Sequence, residues 1–323
     1  MSHPLADYVR ILARGRNGSR SMTQEEAFFT MKAMLNGDAL PEQIGAIFML
    51  MRVKEESPEE LAGFAAAINQ CWPDGLNADL VWPTYAGKRR QPFWCFLSML
   101  LLKQMGYRIL VHGTEAHTEG RQYLHEVFGH FQLPVLGCAQ DFNDSDGLAY
   151  LPCSRLNPVL QEWLSLKSVL GVRSPINTVM KTISPESIPS VQGVFHPNYA
   201  EVHTAAAALN GKNCVVIKGE GGEFEVNPER ECVARYQLNG QIQEVRIPNL
   251  ASHYAGKAQE VSCEWLASVW NGQETNEYAQ DAIVDTAALA LLAIRGEGDF
   301  EALRLECRNA WLERLDKSAL LTA

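Results

Sequence analysis

The chain has 323 residues, of which 46% are apolar and 20% are charged, as in ordinary globular proteins. These proportions exclude a disordered chain and a collagen-like or coiled-coil fibre, and the length predicts about two domains. Lysine and arginine total 28 against 38 aspartates and glutamates, which gives a net charge of −10. A chain with that charge has no uniform basic coat, so any affinity for nucleic acid must come from a local patch.

The cysteine spacing and the hydropathy of the sequence bear on its compartment. Even the closest two of the eight cysteines, Cys138 and Cys153, are too far apart to form a local pair of zinc ligands. The N-terminus lacks the apolar region of a signal peptide, and the longest apolar stretch, 93–102, is too short to span a bilayer. We therefore expect a soluble cytoplasmic protein with reduced thiols and no membrane partner.

The first seventy residues carry the start signals of three helices. Thr23 is followed three residues later by Glu26, which is the pattern of a capping box. Pro41 stands where a second helix would begin, and 57–60 combine a serine cap, a proline and an acidic third position. Apolar residues at helical spacing follow each signal, so this region is predicted to be all-helical.

Beyond residue 78, short apolar segments alternate with helical ones. The predicted strands are 79–82, 108–112, 133–136, 191–195 and 214–217. The segment 156–181 is helical without a strand, 237–248 alternates like an exposed antiparallel ribbon, and two amphipathic helices occupy 282–315. Strands that alternate with helices predict βαβ units and a mainly parallel sheet.

Several segments carry motifs in a fixed order along most of the chain. They are the N-terminal runs Thr23-Gln-Glu-Glu-Ala27, Met34-Leu-Asn-Gly37, Gln43-Ile-Gly-Ala46, Arg52-Val-Lys54 and Pro58-Glu-Glu-Leu-Ala-Gly63, then Leu170-Gly-Val-Arg173 with Asn177, Gly193-Val194 with Pro197, and Asp285–Leu292. Together they resemble anthranilate phosphoribosyltransferase and its relatives in glycosyltransferase family 3.

The resemblance implies an α/β fold of the nucleoside phosphorylase/phosphoribosyltransferase-like type. A small, discontinuous all-helical domain would pack on a larger α/β domain with a mainly parallel sheet. The helical domain would comprise 1–75 plus about 157–190, and the α/β domain 76–156 plus 191–323. The family also implies a homodimer formed through the helical domain.

The glycine loop that cradles pyrophosphate in this family, G-T-G-G-D, is changed in this chain. Its positions are occupied by Pro83, Thr84, Tyr85, Ala86 and Gly87. A proline has no N–H to donate, and a tyrosine stands where the backbone must approach the phosphates closely. We therefore expect the loop not to bind pyrophosphate.

The other two substrate motifs are changed as well. K-H-G-N-R aligns with Val111, His112, Gly113, Thr114 and Glu115, so the lysine is lost and an acid that repels phosphate replaces the arginine. The magnesium motif D-E aligns with Glu223 and Phe224, and a phenyl ring offers Mg²⁺ no oxygen. We expect no catalytic residues, no metal site and no cofactor. Mg²⁺ and phosphoribosyl pyrophosphate would be needed only by an altered enzyme.

Basic residues accumulate where the glycine loop has been lost and in the N-terminal segment. The predicted phosphate contacts are Arg14, Arg16, Arg20, Lys88, Arg89, Arg90, Arg173 and Lys181. Tyr85 would stack on an exposed base, which favours single strands. Local positive charge on an acidic body would focus a polyanion. The combination resembles the non-catalytic YbiB-type branch of the family, whose members bind nucleic acid with little sequence preference.

Three functions stay open at this point. The first is a non-catalytic homologue that binds DNA, and RNA as a further candidate, with low sequence specificity. The alternative is a glycosyl or phosphoribosyl transferase, or a nucleoside phosphorylase, with an altered donor or acceptor. The third is a module whose cleft docks an acidic protein. A basic triplet such as 88–90, taken alone, is more often a solvated surface loop than a binding site.

Overall fold

The structure is a computed structural model that describes residues 3–15, 17–115, 118–250 and 262–317. Arg16, one of the predicted phosphate contacts, lies outside the described residues. The first helices are α1 (Ala6–Ala13), α2 (Gln24–Leu35), α3 (Pro41–Lys54) and α4 (Pro58–Asn69). The predicted caps are confirmed, because Thr23 Oγ1 accepts the N–H of Glu26 and Ser57 Oγ accepts that of Glu60.

Helices α2 and α4 pack closely because Gly63 has no side chain. A Cβ at that position would lie 2.3 Å from the carbonyl oxygen of Gln24 and 2.7 Å from the Cβ of Ala27. Any other residue would push the two helices apart, since real Cβ atoms do not approach backbone so closely. The glycine of the Pro58–Gly63 run is therefore explained by helix packing.

A seven-stranded sheet in the order β3-β2-β1-β4-β5-β6-β7 forms the centre of the molecule. The strands are β1 (Leu80–Thr84), β2 (Ile109–Gly113), β3 (Leu148–Pro152), β4 (Ser190–Val194), β5 (Cys214–Lys218), β6 (Cys232–Leu238) and β7 (Gln241–Ile247). Strands β1 to β5 run parallel, and β6 and β7 form an antiparallel hairpin at one edge. The mainly parallel sheet is confirmed.

The remaining helices cover both faces of the sheet. They are α5 (Trp94–Gln104), α6 (Leu124–His130), α7 (Cys153–Leu156), α8 (Pro158–Ser165), α9 (Lys167–Leu170), α10 (Ile176–Val179), α11 (Tyr199–Leu209), α12 (Cys263–Trp270), α13 (Glu277–Arg295) and α14 (Phe300–Lys317). Across the described ranges, none of the helices is both long enough and apolar enough to cross a membrane.

The strand predicted at 133–136 is wrong. Only Val135 forms a bridge there, with Tyr150, and the third strand of the sheet is β3, further along the chain. Pro134 interrupts the short apolar run and cannot donate to a ladder, although its carbonyl accepts the N–H of Tyr150. The fully buried residues of β3 pair with β2 instead and form the strand at this edge of the sheet.

The two faces of the sheet belong to two apolar clusters. Trp82 and Val111 point into a cluster with α5 and α12–α14, whereas Val81 and Leu110 point into one with the N-terminal helices. This alternation follows from the two-residue period of a strand. The segment 157–190 packs on the N-terminal helices, where Phe48 and Trp163 make an edge-to-face contact at 5.9 Å. The proposed domain boundaries stay a prediction.

Candidate functional site

Three loops that carry the changed motifs meet at the carboxyl ends of the parallel strands. They follow β1, β2 and β5, and parallel strands bring their carboxyl ends to one edge of the sheet. Lys88 and Gln122 exchange backbone hydrogen bonds of 2.9 Å, which ties the first loop to the second. Arg121 Nη1 donates to the carbonyls of Ala86 and Gly87 at 2.9 and 2.7 Å. The edge is therefore a single connected structure.

The loop after β1 holds an anion that belongs to the chain itself. Glu223 Oε1 accepts the backbone N–H of Ala86 at 2.8 Å and that of Gly87 at 2.6 Å, and Glu223 is 2% exposed. Gly87 has φ of +66°, the left-handed region that favours glycine. The loop thus keeps two convergent backbone donors although its residues have changed, and a carboxylate uses both of them.

The expectation that Pro83 removes an N–H donor from the pyrophosphate loop is refined by this arrangement. That proline lies within β1, opposite His112 in the parallel register, and is not one of the donors. The donors come from the two residues that the sequence comparison treated as lost positions. The role of Glu223 was missed, and its signal was an acidic residue on the glycine-rich segment 219–225.

A second carboxylate of the same segment takes up Lys88. Glu225 Oε1 forms a buried ion pair with Lys88 Nζ, and Glu225 Oε2 accepts the N–H of Cys95 in the first turn of α5. Lys88 Nζ also donates to the carbonyl of Pro92, and Lys88 is 2% exposed. Burial raises the pKa of Glu225, and the charge of Lys88 opposes that shift. The expectation that Lys88 contacts phosphate is corrected here, because its ammonium is enclosed.

Tyr85 is enclosed in the same way. Its hydroxyl lies 2.7 Å from Nδ1 of His112, and both residues are buried. Burial lowers the pKa of His112 to about 3 and raises the pKa of Tyr85. A ring that is 2% exposed offers no face to a base, so the expected stacking by Tyr85 is also corrected.

The remaining changed positions have structural surroundings. Phe224 is fully buried and packs edge-to-face on Trp82 with ring centroids 5.4 Å apart. Thr84 pairs with Gly113 between β1 and β2, and Thr114 Oγ1 donates to Gln161 at 2.9 Å. Within the described ranges, no three histidine, cysteine, aspartate or glutamate side chains group as metal ligands. The second magnesium position has thus become part of the apolar core.

Two of the predicted basic residues are exposed on the loop after β1. Tyr85 and Ala86 of this loop line a cavity, and loop and cavity together are called the cleft. Arg89 and Arg90 are exposed directly after the buried Lys88, and Arg89 Nη2 makes only a long contact of 3.4 Å to the carbonyl of Glu119. Arg14 is exposed at the end of α1. Arg20 is exposed but forms a two-pronged ion pair with Glu26 at 2.6 and 2.7 Å. That hydrogen-bonded pair raises the pKa of Arg20 and neutralises its charge locally.

A cavity of about 160 Å³ lies beside these loops and holds the other two predicted cations, Arg173 and Lys181. Lys181 Nζ donates to the carbonyls of Gly193 at 2.6 Å and Gly222 at 2.9 Å, and burial lowers its pKa to about 8. Arg173 Nη2 lies 3.5 Å from Thr118 Oγ1, and burial lowers the pKa of Arg173. A third cation, Arg52 of α3, also lines the cavity. The sequence reasoning missed it, although it belongs to the Arg52–Lys54 motif.

Comparison with known proteins agrees with this fold. Residues 7–70 match the helical bundle domain of the glycosyl transferase family. The YbiB protein of Escherichia coli (strain K12) is 28% identical over 241 residues, which cover 69% of this chain and 74% of that protein. Anthranilate phosphoribosyltransferase of Aquifex aeolicus (strain VF5) is 25% identical over 314 residues, 91% of each chain.

Solved structures of the same enzyme have the same architecture. Anthranilate phosphoribosyltransferase from Thermus thermophilus superposes with a TM-score of 0.74 at 16% identity, over 97% of this chain and 96% of that one. The Saccharomyces cerevisiae enzyme in complex with PRPP and Mg superposes with a TM-score of 0.70 at 15% identity, over 98% and 97%. The chain has an anthranilate phosphoribosyltransferase-like fold and is similar in sequence to the YbiB protein and to anthranilate phosphoribosyltransferases.

Proposed function

We propose that this protein is a non-catalytic relative of the transferases that binds nucleic acid, with single strands favoured and little sequence preference. The observation that carries the proposal is an imbalance of charge at the cleft. Glu223 is hydrogen-bonded to the loop amides and offsets only part of the charge of Arg173 and Lys181. Among the described residues, several cations of this region form no ion pair with a carboxylate. The proposed contact surface consists of Arg52, Arg89, Arg90, Arg173 and Lys181, with Arg14 as an outlying contact.

The absence of catalysis is supported by the backbone donors of the loop after β1, which are already occupied by a carboxylate of the same chain. The N–H groups of Ala86 and Gly87 already hydrogen-bond the Glu223 carboxylate. A pyrophosphate would have to displace that buried carboxylate and would then meet its charge at close range. Phe224, in the aligned magnesium position, packs in the core and has no oxygen to offer a metal.

The binding of nucleic acid is supported by unpaired positive charge. Within the described part of the chain, no carboxylate lies within ion-pair distance of Arg89, Arg90 or Arg173. Arginine binds phosphate oxygens in a two-pronged geometry, and each contact releases counterions from the strand. Contacts of this kind read the backbone and not the bases, which is why we expect low sequence specificity.

We infer in addition that the protein forms a homodimer through its helical domain. Phe29 of α2 is 46% exposed and Leu40, just before α3, is 53% exposed. Phe29 borders a surface cavity of about 690 Å³ that it shares with Leu5 and Phe28. Exposed apolar side chains beside a surface cavity on a helical bundle support an interface at this face.

The experiment that tests the proposed function is a fluorescence anisotropy titration with single- and double-stranded oligonucleotides at several salt concentrations. We expect submicromolar affinity at low salt, tighter binding of the single strand, and a steep loss of affinity as salt rises. No binding at low salt would refute the proposal. An assay of the same preparation with phosphoribosyl pyrophosphate, Mg²⁺ and anthranilate should give no turnover.

The alternative of an altered transferase or phosphorylase is favoured by one observation, the small cavity that keeps Arg173 and Asn177. Both residues belong to the motif shared with the family. Phosphate-dependent cleavage of a nucleoside by the purified protein, abolished by Arg173→Ala, would establish this alternative in place of a purely binding role.

A further inference from the structure

We infer that the cavity between Arg52, Arg173 and Lys181 is a site for a terminal phosphomonoester, the 5′- or 3′-phosphate at the end of a nucleic-acid strand. The inference rests on the proposed nucleic-acid binding and adds which part of the strand enters the cavity. Phosphodiesters inside the strand would follow the exposed arginines at the mouth of the cleft.

The cavity carries an excess of positive charge. Arg52, Arg173 and Lys181 line it, and the two nearby carboxylates are engaged in other contacts. Glu223 is bound to the loop amides, and Glu56 Oε2 accepts the hydroxyl of Tyr199 at 3.2 Å. Burial raises the pKa of Glu56, and the charges of Arg52 and Lys54 oppose that shift. Glu223 keeps its negative charge and acts on both Arg173 and Lys181, so it offsets part of the positive charge of the cavity. Three cations therefore face a concave space in which positive charge is in excess.

The donors in the cavity match a monoester better than a diester. A phosphomonoester carries a charge of about −1.5 to −2 at neutral pH and has three free oxygens. A diester inside a strand carries one charge and two free oxygens. Besides the three cations, the cavity offers Asn177 and the hydroxyl of Ser174, which is buried and has no hydrogen-bond partner in the described structure. An unsatisfied buried hydroxyl at a cavity wall is a natural ligand contact.

Lys181 is held in a position that leaves one donor for the ligand. An ammonium group has three N–H donors, and two of them go to the carbonyls of Gly193 and Gly222. The contacts fix the ammonium at the end of β4 without neutralising it. A phosphate oxygen can therefore take the third donor without breaking either existing hydrogen bond.

The size of the cavity selects a group and not a whole nucleotide. Its volume of about 160 Å³ is below the ~300–1,000 Å³ of pockets that enclose complete small ligands. Phe195 lines the cavity and is 54% exposed, with its ring in edge-to-face contact with His196. A phosphate inside the cavity would leave its nucleoside outside, where the terminal base can stack on Phe195.

The test measures the affinity of the full-length parent protein for three short oligothymidylates at constant salt. One carries a 5′-phosphate, one carries a 3′-phosphate, and one has hydroxyl groups at both ends. We expect at least one phosphorylated strand to bind roughly tenfold more tightly than the hydroxyl-ended strand, as one additional charge-assisted contact would give. The preferred end identifies which terminus enters. Arg173→Gln and Ser174→Ala should reduce this ratio, whereas the control Arg89→Gln should weaken all three strands equally. Melting curves check that the variants are folded.

The possible outcomes separate the two proposals. Equal affinity for all three strands would overturn the terminal-phosphate site and leave the nucleic-acid function standing. Failure of every strand to bind would overturn the nucleic-acid function. In that case thymidine monophosphate alone is titrated against the parent and the Arg173→Gln variant. Binding that needs Arg173 would uphold a phosphomonoester site independent of strands, and no binding would overturn this inference too.

Discussion

The carboxylate of Glu223 accepts a hydrogen bond of 2.6 Å from the backbone N–H of Gly87. Two residues from separate changed motifs are thereby hydrogen-bonded to each other, because the Glu223 carboxylate binds where the loop after β1 presents its N–H donors. The buried N–H groups of this loop are thus satisfied by an anion from another part of the chain.

Replacing Glu223 with alanine should expose this anion site. The variant leaves two buried N–H groups without partners, at a cost of about 1–3 kcal/mol for each in the free energy of unfolding. Inorganic pyrophosphate should recover part of that loss and raise the melting temperature of Glu223→Ala but not of the parent. The control is Glu231→Ala, at an exposed residue that pairs with Arg246. If pyrophosphate does not raise the melting temperature of Glu223→Ala, the loop does not bind an external anion.

The enclosed Lys88 and the exposed Arg89 should respond differently to substitution. Lys88→Met leaves Glu225 without its cation in the core, and we expect a loss of ~3–5 kcal/mol in the free energy of unfolding. Arg89→Met alters only solvated surface and should change stability by less than about 0.5 kcal/mol. Urea denaturation of both variants measures the contrast. Equal stability of the two would contradict the burial of the Lys88–Glu225 pair.

The exposed arginines should govern the salt dependence of nucleic-acid binding. Removing two phosphate contacts with Arg89→Ala/Arg90→Ala should reduce the slope of log affinity against log salt by about 1.4 for a single strand. Arg246→Ala is the matched control, since that arginine is exposed on the edge strand β7 and pairs with Glu231 and Glu244. An unchanged slope in the double variant would remove the cleft mouth from the contact surface.

The contribution of the buried His203 to the free energy of unfolding should depend on pH. Burial and then the charge of Lys181 lower the pKa of His203 to about 3, whereas the pKa of a histidine in an unfolded chain is about 6.5. Below a pH of about 6.5 the histidine of the unfolded chain binds a proton, whereas His203 of the folded chain stays neutral. His203 therefore destabilises the folded state increasingly as the pH falls toward 3. His203→Gln removes the effect and can still pair with Gln192, which the parent contacts at 2.8 Å.

The measurement is the difference in unfolding free energy between His203→Gln and the parent from pH 7.5 to 4.5. The difference should shift in favour of the variant by up to about 1.4 kcal/mol per pH unit below 6.5. His130→Gln, at an exposed ring on α6, should follow the parent throughout. A constant difference for His203→Gln would mean that this ring takes up its proton at the same pH in the folded and the unfolded chain.

The proposed dimer should depend on Phe29. An aspartate at this position would place a charge in an apolar interface, so Phe29→Asp should run as a monomer in size-exclusion chromatography with light scattering. Phe195→Asp replaces a comparably exposed phenylalanine at the cleft and should leave the dimer intact. If both variants have the mass of the parent, the interface does not involve α2.

The sequence determined those features that depend on neighbours along the chain. Thr23 and Ser57 predict the starts of their helices because a capping side chain accepts a hydrogen bond from an N–H only three residues away. The alternation of strands and helices likewise predicted the parallel sheet. The same local reasoning failed at 133–136, because pairing with a neighbouring strand, and not the apolar run itself, makes a strand.

Only the tertiary structure decided which charges are available to a ligand. Lys88 and Arg89 are adjacent and have the same sign, and no local rule separates them. They differ because Glu225, 137 residues further along, lies beside Lys88 and encloses it, while Arg89 points outward. Ion pairing and burial depend on residues that the fold brings together, so the charge that solvent sees cannot be counted from the sequence.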